Sequence, residues 1–265
     1  MINPICLTCG TQFSRCEKPP EGCPVCEDER QFVGWEGQRW TTLDDLGRDH
    51  RTRIQDDSGL LGIGVEPAFA IGQRTLLVET PQGNVLWDCI PLVDGGAVAA
   101  IEARGGLSAI AISHPHYYSA MIEWSRAFGG VPIHLHEADR RWVMRPDPAV
   151  RFWRGDELEL PGGLTLVRLG GHFAGGAVLH INRGGGMLLT GDIVQVVMDR
   201  RWVSFMYSYP NLIPLSVGQV RGMAQRLEGY TFDRIYGAWW GRNVLSDAKE
   251  AVRRSAARYI AALEG

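Results

Sequence analysis

Four cysteines standing in two C-x-x-C pairs set the first constraint on this chain. Cys6 and Cys9 form one pair, Cys23 and Cys26 the other, with thirteen residues between them. Each pair puts two thiolates on one side of a tight knuckle. Two such knuckles facing each other supply the four sulfurs that a tetrahedral Zn²⁺ site takes. A segment this short has too little apolar area for a core of its own, so a bound ion would hold it together. Residues 1–40 therefore read as a four-cysteine zinc ribbon. A rubredoxin-like iron site is the alternative that "CPVC" also admits. Cys16, between the pairs, reads as a surface thiol.

Nucleic-acid binding is a common use of ribbons, and charge argues against it here. Residues 1–40 carry four basic and six acidic side chains, and the whole chain of 265 residues has a net charge of −3. Neither offers the positive surface that a phosphate backbone needs. No stretch approaches the roughly 20 apolar residues of a membrane span. The opening "MINPICLTCG" lacks a basic region followed by an apolar core, so no secretory signal is expected. These readings predict a cytoplasmic protein whose cysteines serve metal rather than disulfides, with a small molecule as its partner. They leave homo-oligomerisation open.

Residues 41–60 are polar and mixed, and read as a connector. From residue 61 the pattern becomes strand-rich, and 33 glycines supply the many tight turns such a fold needs. "AFAIGQRTLLVET" and "GNVLWDC" flank the turn signal "PQGN" and predict a hairpin. "GLSAIAIS", "VPIHLH", "GLTLVRL", "AVLHIN", "GMLLT" and "FDRIYGAWW" read as further strands, and "SAMIEWSRAF" has helical spacing closed by glycines. In the last segment Ala248, Val252, Ala256, Tyr259, Ile260 and Leu263 recur at intervals of three and four, a helix that Ser246 or Asp247 could cap. Strands in hairpins with interspersed helices predict two packed sheets with helices outside.

Chemistry concentrates at three strand ends. "AISHPHYYS" places His114 and His116 after a buried strand, "GGHFAGG" places His172 in a glycine-rich loop, and "LLTGDIV" places Asp192 after another strand. A His-x-His pair in extended chain would point both imidazoles to one side. In this order the motifs resemble the metallo-β-lactamase fold superfamily over residues 61–265. "AISHPHYYS" is similar to its His-x-His-x-Asp-His motif, and "NVLWDC", with Asp88, to its early strand ending in a structural aspartate. The resemblance implies an α+β fold, an αββα sandwich with the metals at one edge. It also implies an active-site ion on His114, His116 and His172, with Asp192 as a further ligand.

The departures from that pattern are concentrated. Tyr118 and Ser119 stand where the family has an aspartate and a histidine, and no histidine follows His180, where the family has its last one. The ligands private to the second metal are absent and those of the first are present, which predicts a one-metal site. A metal-free relic and a second ion on unconventional ligands are the alternatives. The expected activity is hydrolysis of a small ester, thioester or lactone, with zinc or iron in the site. Asp192 would orient the water and Tyr118 would protonate the leaving group. Tyr117, Trp239, Trp240 and Arg242 would line the substrate site, Arg242 as an anion-binding guanidinium. "DRRWVSFMYSYPNLIPL" reads as an aromatic wall of the site. His134 and His136 read as packing groups. The rival readings are a mononuclear iron oxidoreductase of the sulfur-dioxygenase kind, and a binding protein on a degenerate hydrolase fold.

Overall fold

Alternate side chains along each strand go to different cores, and this sorts the chain into layers. The computed structural model describes all 265 residues. It begins with β1 (Ile5–Cys6), α1 (Pro24–Glu27) and β2 (Trp40–Thr41), the last pairing back onto β1. The helix α2 (Leu43–Asp49) leads into a seven-stranded sheet in chain order: β3 (Arg51–Asp57), β4 (Leu60–Glu66), β5 (Thr75–Val78), β6 (Val85–Trp87), β7 (Ala109–Ala111), β8 (Ile133–His136) and β9 (Val150–Trp153). Strands β3 to β6 are antiparallel and β6 to β9 parallel. Parallel neighbours need crossovers, and α3 (Gly95–Glu102) and α4 (Met121–Ala127) supply two of them. The expected hairpin around "PQGN" is present, with Val78 opposite Val85.

The second sheet runs β10 (Glu157–Leu160), β11 (Leu164–Arg168), β12 (Ala177–Ile181), β13 (Met187–Gly191), then β18 (Arg234–Gly237) and β19 (Asn243–Val244). Between β13 and β18 lie two short hairpins, β14 (Gln195–Val196) with β15 (Val203–Ser204) and β16 (Met206–Ser208) with β17 (Ile213–Pro214), followed by α5 (Val217–Leu227). The chain closes with α6 (Ala248–Glu264). None of the helices is long and apolar enough to cross a membrane.

Leu76, Val78, Trp87, Ala111, Leu166, Leu179, Leu189 and Tyr236 meet between the sheets. Their sequence neighbours Leu77, Leu86 and Ile110 face outward onto Ala97 and Ile101 of α3 and Trp124 of α4. On the far side Val178, Leu188 and Ile235 face Val220, Met223, Val252 and Ala256 of α5 and α6. This is the expected αββα sandwich, and the period-2 alternation of the strands produces it directly.

Two local expectations differ. The segment read as connector contains α2 and the whole of β3, which pairs with β4 from Arg51–Glu66 to Asp57–Leu60. An edge strand with polar residues on both faces shows no apolar alternation, so its sequence looks like loop. At the other end, Asp247 precedes α6 in a left-handed conformation (φ 52°) and its side chain caps nothing; its N–H instead donates to Asp233 Oδ1 at 2.8 Å.

The ribbon is packed into the sandwich. Cys6, Cys9, Phe13, Cys23, Val25 and Cys26 belong to the same apolar cluster as Trp124 and Leu86. Gln12 N–H donates to Ser119 O at 3.2 Å and Ser14 N–H to Met144 O at 3.2 Å. Arg145 reaches both Gln12 Oε1 and Glu123.

Asp94 ties the start of α3 to the edge strand. Its carboxylate accepts from Ala97 N–H at 2.9 Å as the helix cap, and from Thr52 N–H at 2.8 Å and Thr52 Oγ1 at 2.7 Å. Burial opposes its ionisation, but these donors together hold it below the usual carboxylate range. Asp94→Ala is expected to cost about 1–2 kcal/mol at neutral pH, measured by urea unfolding. Because the folded-state pKa is the lower one, the contribution is complete above the unfolded value of about 3.9 and is lost as pH falls through the folded value. The difference between wild type and variant should therefore shrink in acid. A difference that holds constant below that range would contradict the assignment.

Candidate metal centre

The site is assembled where β6, β7, β11 and β13 end. Asp88, just after β6, has a left-handed backbone (φ 60°), one that Asp tolerates better than most residues. Its carboxylate accepts from Ser113 N–H at 2.7 Å and Ser113 Oγ at 2.8 Å. Ser113 Oγ also lies 2.9 Å from His114 Nδ1. Because the hydroxyl proton is given to Asp88, the hydroxyl oxygen must accept from Nδ1–H. That fixes the His114 tautomer and leaves Nε2 bare.

His114 is extended (φ −169°), but Pro115–Tyr117 form a 3₁₀ turn, so the His-x-His pair is not in extended chain as the sequence led us to expect. The turn brings the two rings together nearly edge to face, with centroids 5.2 Å apart. Residues three apart eclipse in such a turn, which puts the Tyr117 ring against His114 at 4.4 Å.

His172 follows Gly170 and Gly171, both at positive φ (69° and 78°), in the loop between β11 and β12. Its Nδ1 lies 2.6 Å from Tyr207 O, an acceptor only, so Nδ1 carries the proton and Nε2 is bare. That Nε2 faces His116 Nδ1 at 3.1 Å. Asp192 follows Gly191 at the end of β13 and places Oδ1 3.2 Å from His114 Nε2. Gly191 permits the approach: a Cβ there would sit 2.7 Å from Ser113 Oγ.

All four groups are at least 95% buried. Burial first, and the neighbouring imidazoles and Arg30 second, hold His114 and His116 far below the usual imidazole range. Burial likewise lowers His172 to about 4, and it raises Asp192 to about 7. The imidazoles are thus neutral, the form that ligates metal.

His114 Nε2, His116 Nε2 and Asp192 Oδ1 are buried with no hydrogen-bond partner. Unpaired buried acceptors are costly, and one cation between His114 Nε2 and Asp192 Oδ1 would satisfy both, while His116 faces His172 through its other nitrogen, Nδ1. One ligand atom from each of His114, His116 and His172 lies within 4.8 Å of the others; Asp192 touches this set through His114 but is not part of it. The residues present therefore fit a metal ion.

The same test succeeds in the ribbon. All six cysteines are free, and the sulfurs of Cys6, Cys9, Cys23 and Cys26 converge. Cys6 and Cys26 are 3.5 Å apart and Cys9 and Cys23 3.7 Å. A tetrahedron with metal–sulfur bonds of about 2.3 Å has an edge of about 3.8 Å. Cys16 is half-buried with its Sγ 3.9 Å from Ile2 O, outside the set.

A pocket of about 250 Å³ opens onto His116, His172 and Asp192. Ile71, Tyr209 and Trp239 form part of its wall, and Thr8, Arg30, Gln31 and Phe32 of the ribbon form another part. A larger polar groove of about 680 Å³ lies between the N-terminus and Arg145, and none of its lining residues belongs to either ligand set.

Several expected site residues are elsewhere. Tyr117 is fully buried beneath His114, and Tyr118 is buried among core residues, so neither lines the pocket. Trp240 lies against the backbone of Gly62 and Gly64, where a Cβ would meet its ring at 2.6 and 2.9 Å. Arg242 does not line the pocket either; the guanidinium there belongs to Arg30. Trp239 lines the pocket, with Nε1–H donating to Ile71 O at 3.0 Å. His136 packs on Trp153 at 4.4 Å, a packing role as expected. Ser119 Oγ accepts from Gln73 Nε2 at 3.0 Å. No local motif marked Gln73 or the ribbon residues, since they reach the site only through packing between distant segments.

No family model matches the chain. It is 49% identical over 265 residues to the uncharacterized protein YmaE of Bacillus subtilis (strain 168), covering 98% of this chain and 96% of that protein. The chain belongs to the YmaE family. Among solved structures, DIM-1 metallo-β-lactamase aligns with a TM-score of 0.61 at 17% identity, over 80% of this chain and 98% of that one. VMB-1 aligns with a TM-score of 0.61 at 14% identity and the same coverage. A metallo-β-lactamase from Pontibacter korlensis gives 0.54 at 16% identity, over 78% of this chain and 92% of that one. At these identities the likeness establishes the metallo-β-lactamase fold for this YmaE relative.

The sulfur geometry predicts that the purified protein holds one ion on its cysteines. Cys23→Ser should lose that ion and lower the melting temperature, because a small metal-clamped segment draws its folding energy from the metal. Detection of a disulfide among the four cysteines in the native protein would contradict this.

Proposed function

We propose that this YmaE relative is a metal-dependent hydrolase with one ion held by His114, His116 and His172, acting on a small ester, thioester or lactone. The observation that carries the reading is the set of three neutral imidazoles that converge beside a pocket, two of them on its wall. When bound, a zinc ion would supply a water acidified to a pKa of about 7 and a Lewis acid for a carbonyl oxygen. Zinc is favoured over iron because three nitrogens form the convergent set, whereas two nitrogens and a carboxylate suit Fe(II).

The remaining residues act around that ion. Asp192 has a free Oδ1 beside His114 and would accept a hydrogen bond from the attacking water, fixing its direction. Tyr209 donates its hydroxyl to Asp192 O at 2.6 Å and so holds the aspartate's backbone in place. Trp239, Ile71 and Phe32 give the pocket apolar walls that displace water around the acyl group. Tyr118, expected to protonate the leaving group, is too deep in the core for that role.

Two features support a single ion and an acyl substrate. Ser119, which stands in the sequence where the metallo-β-lactamase motif has a histidine, is hydrogen-bonded to Gln73, and both are neutral groups that bind metal weakly. Arg30, the pocket's guanidinium, gives its fork to Asp28, at 2.5 and 2.7 Å, which leaves little charge to neutralise a phosphodiester.

Elemental analysis of the full chain should find two zinc ions, one on the cysteines and one on the histidines. His116→Ala should retain the first, lose the second, and lower ester or thioester turnover by at least about a hundredfold, as loss of a metal's Lewis-acid role entails. Three ions per chain would defeat the one-metal site, and turnover unchanged in His116→Ala would defeat the hydrolase.

A further inference from the structure

The residues just after the second cysteine pair are bonded to the ligand loop of the other site. Asp28 caps the end of α1, two residues after Cys26. Its carboxylate takes Arg30 Nε and Nη2 as a fork and also accepts from Arg30 N–H at 3.1 Å. Held this way, the guanidinium lies 4.0 Å over the ring of Phe173, and Nη1 donates to His172 O at 3.3 Å. Arg30 is 7% exposed.

A second set of bonds reaches the same histidine by another route. Tyr207 O fixes the His172 ring, and the Tyr207 hydroxyl donates to Glu29 Oε1 at 2.6 Å. Asn211 Nδ2 donates to Glu29 O at 2.7 Å and to Gln31 O at 3.2 Å. Residues 28–31 thus hold His172 from its own carbonyl and from the segment that orients its ring.

We propose that Arg30 is a positioning residue of the histidine site, so that loading of the cysteine site sets the metal affinity of the histidine site. This rests on the reading that the three histidines bind an ion. The ribbon keeps its shape only while its cysteines are clamped. Without that clamp, Asp28, two residues after Cys26, is no longer held to place the Arg30 fork, and the His172 carbonyl loses its support; the ring keeps its bond to Tyr207 O. Partners that orient a ligating histidine change metal affinity by about 10–100-fold when removed. Coupling of binding free energies is reciprocal, so an ion on the histidines should tighten the cysteine site by the same factor.

The test uses full-length protein titrated with Zn²⁺ against a chromophoric chelator, with Co²⁺ absorption to separate sulfur from nitrogen coordination. Arg30→Met keeps the stem over Phe173 but removes the fork. It should weaken the histidine site by about 10–100-fold, shift its Co²⁺ spectrum, and leave the cysteine site within about twofold when the histidine site is empty. Arg30→Lys should restore the charge but not the affinity, because an ammonium cannot serve Asp28 and His172 O together. Unchanged affinity in Arg30→Met, or equal weakening at both sites, overturns the proposal. If Arg30→Met does not fold, Asp28→Asn releases the fork with little change in volume, and the same two outcomes apply. Wild-type protein that takes up only the cysteine-bound ion overturns the one-metal hydrolase as well; two ions in the wild type with no Arg30 effect overturns the coupling alone.

Discussion

Three imidazoles are buried in mutual contact, and the surrounding structure keeps the inward nitrogens of two of them, His114 and His172, free of protons. Burial makes a charged imidazole expensive. Fixed partners then choose the tautomer: Asp88 through Ser113 for His114, and Tyr207 O for His172. In water these choices would be free, and inside the protein they are set by the Tyr207 carbonyl, which cannot donate, and by the Ser113 hydroxyl, whose proton goes to Asp88. The strand ends, the strained turn at Asp88 and the glycine at 191 all serve to bring these partners into line.

The ribbon is a wall of the site rather than an appendage to it. It shares a core with the first sheet, lines the pocket with four residues and supports His172 from behind. The sandwich brings the ligand donors from its strand ends, and the ribbon decides what else can enter. In this chain a metallo-β-lactamase fold therefore has part of its pocket wall built by a separate segment that carries its own cluster of four cysteines.

Much of this was legible in the sequence, for a physical reason. Apolar alternation bounded by glycine marks buried strands, and histidines or aspartates directly after such strands collect at one edge of a sandwich. His114, His116, His172 and Asp192 stand after such strands, and the resemblance of their order to the metallo-β-lactamase motifs implied their role; the four cysteines were readable from their spacing. Strand β3 was not, because an edge strand that is polar on both faces has no periodic signature. Nor was the orientation of Tyr117 and Tyr118, which depends on a 3₁₀ turn that Pro115 begins and that rotates both phenols into the core. Arg30 was hidden for a third reason: its partner is 142 residues away, and nothing local encodes that meeting.

Gly191 has one more consequence. It sits at the end of β13 in the second sheet, and Ser113 follows β7 in the first, so here the second sheet contributes no side chain and its backbone meets the Ser113 side chain and the Tyr117 ring directly. The gap between Asp192 and His114 is therefore the gap between the sheets. That gap is filled elsewhere by Ala111, Leu179 and Leu189. Adding or removing a methyl group among those residues changes the thickness of the sandwich, and the bite of the ligand set changes with it. The sandwich thus works as a caliper, with its jaws at the pocket and its adjusting screw in the hydrocarbon interior.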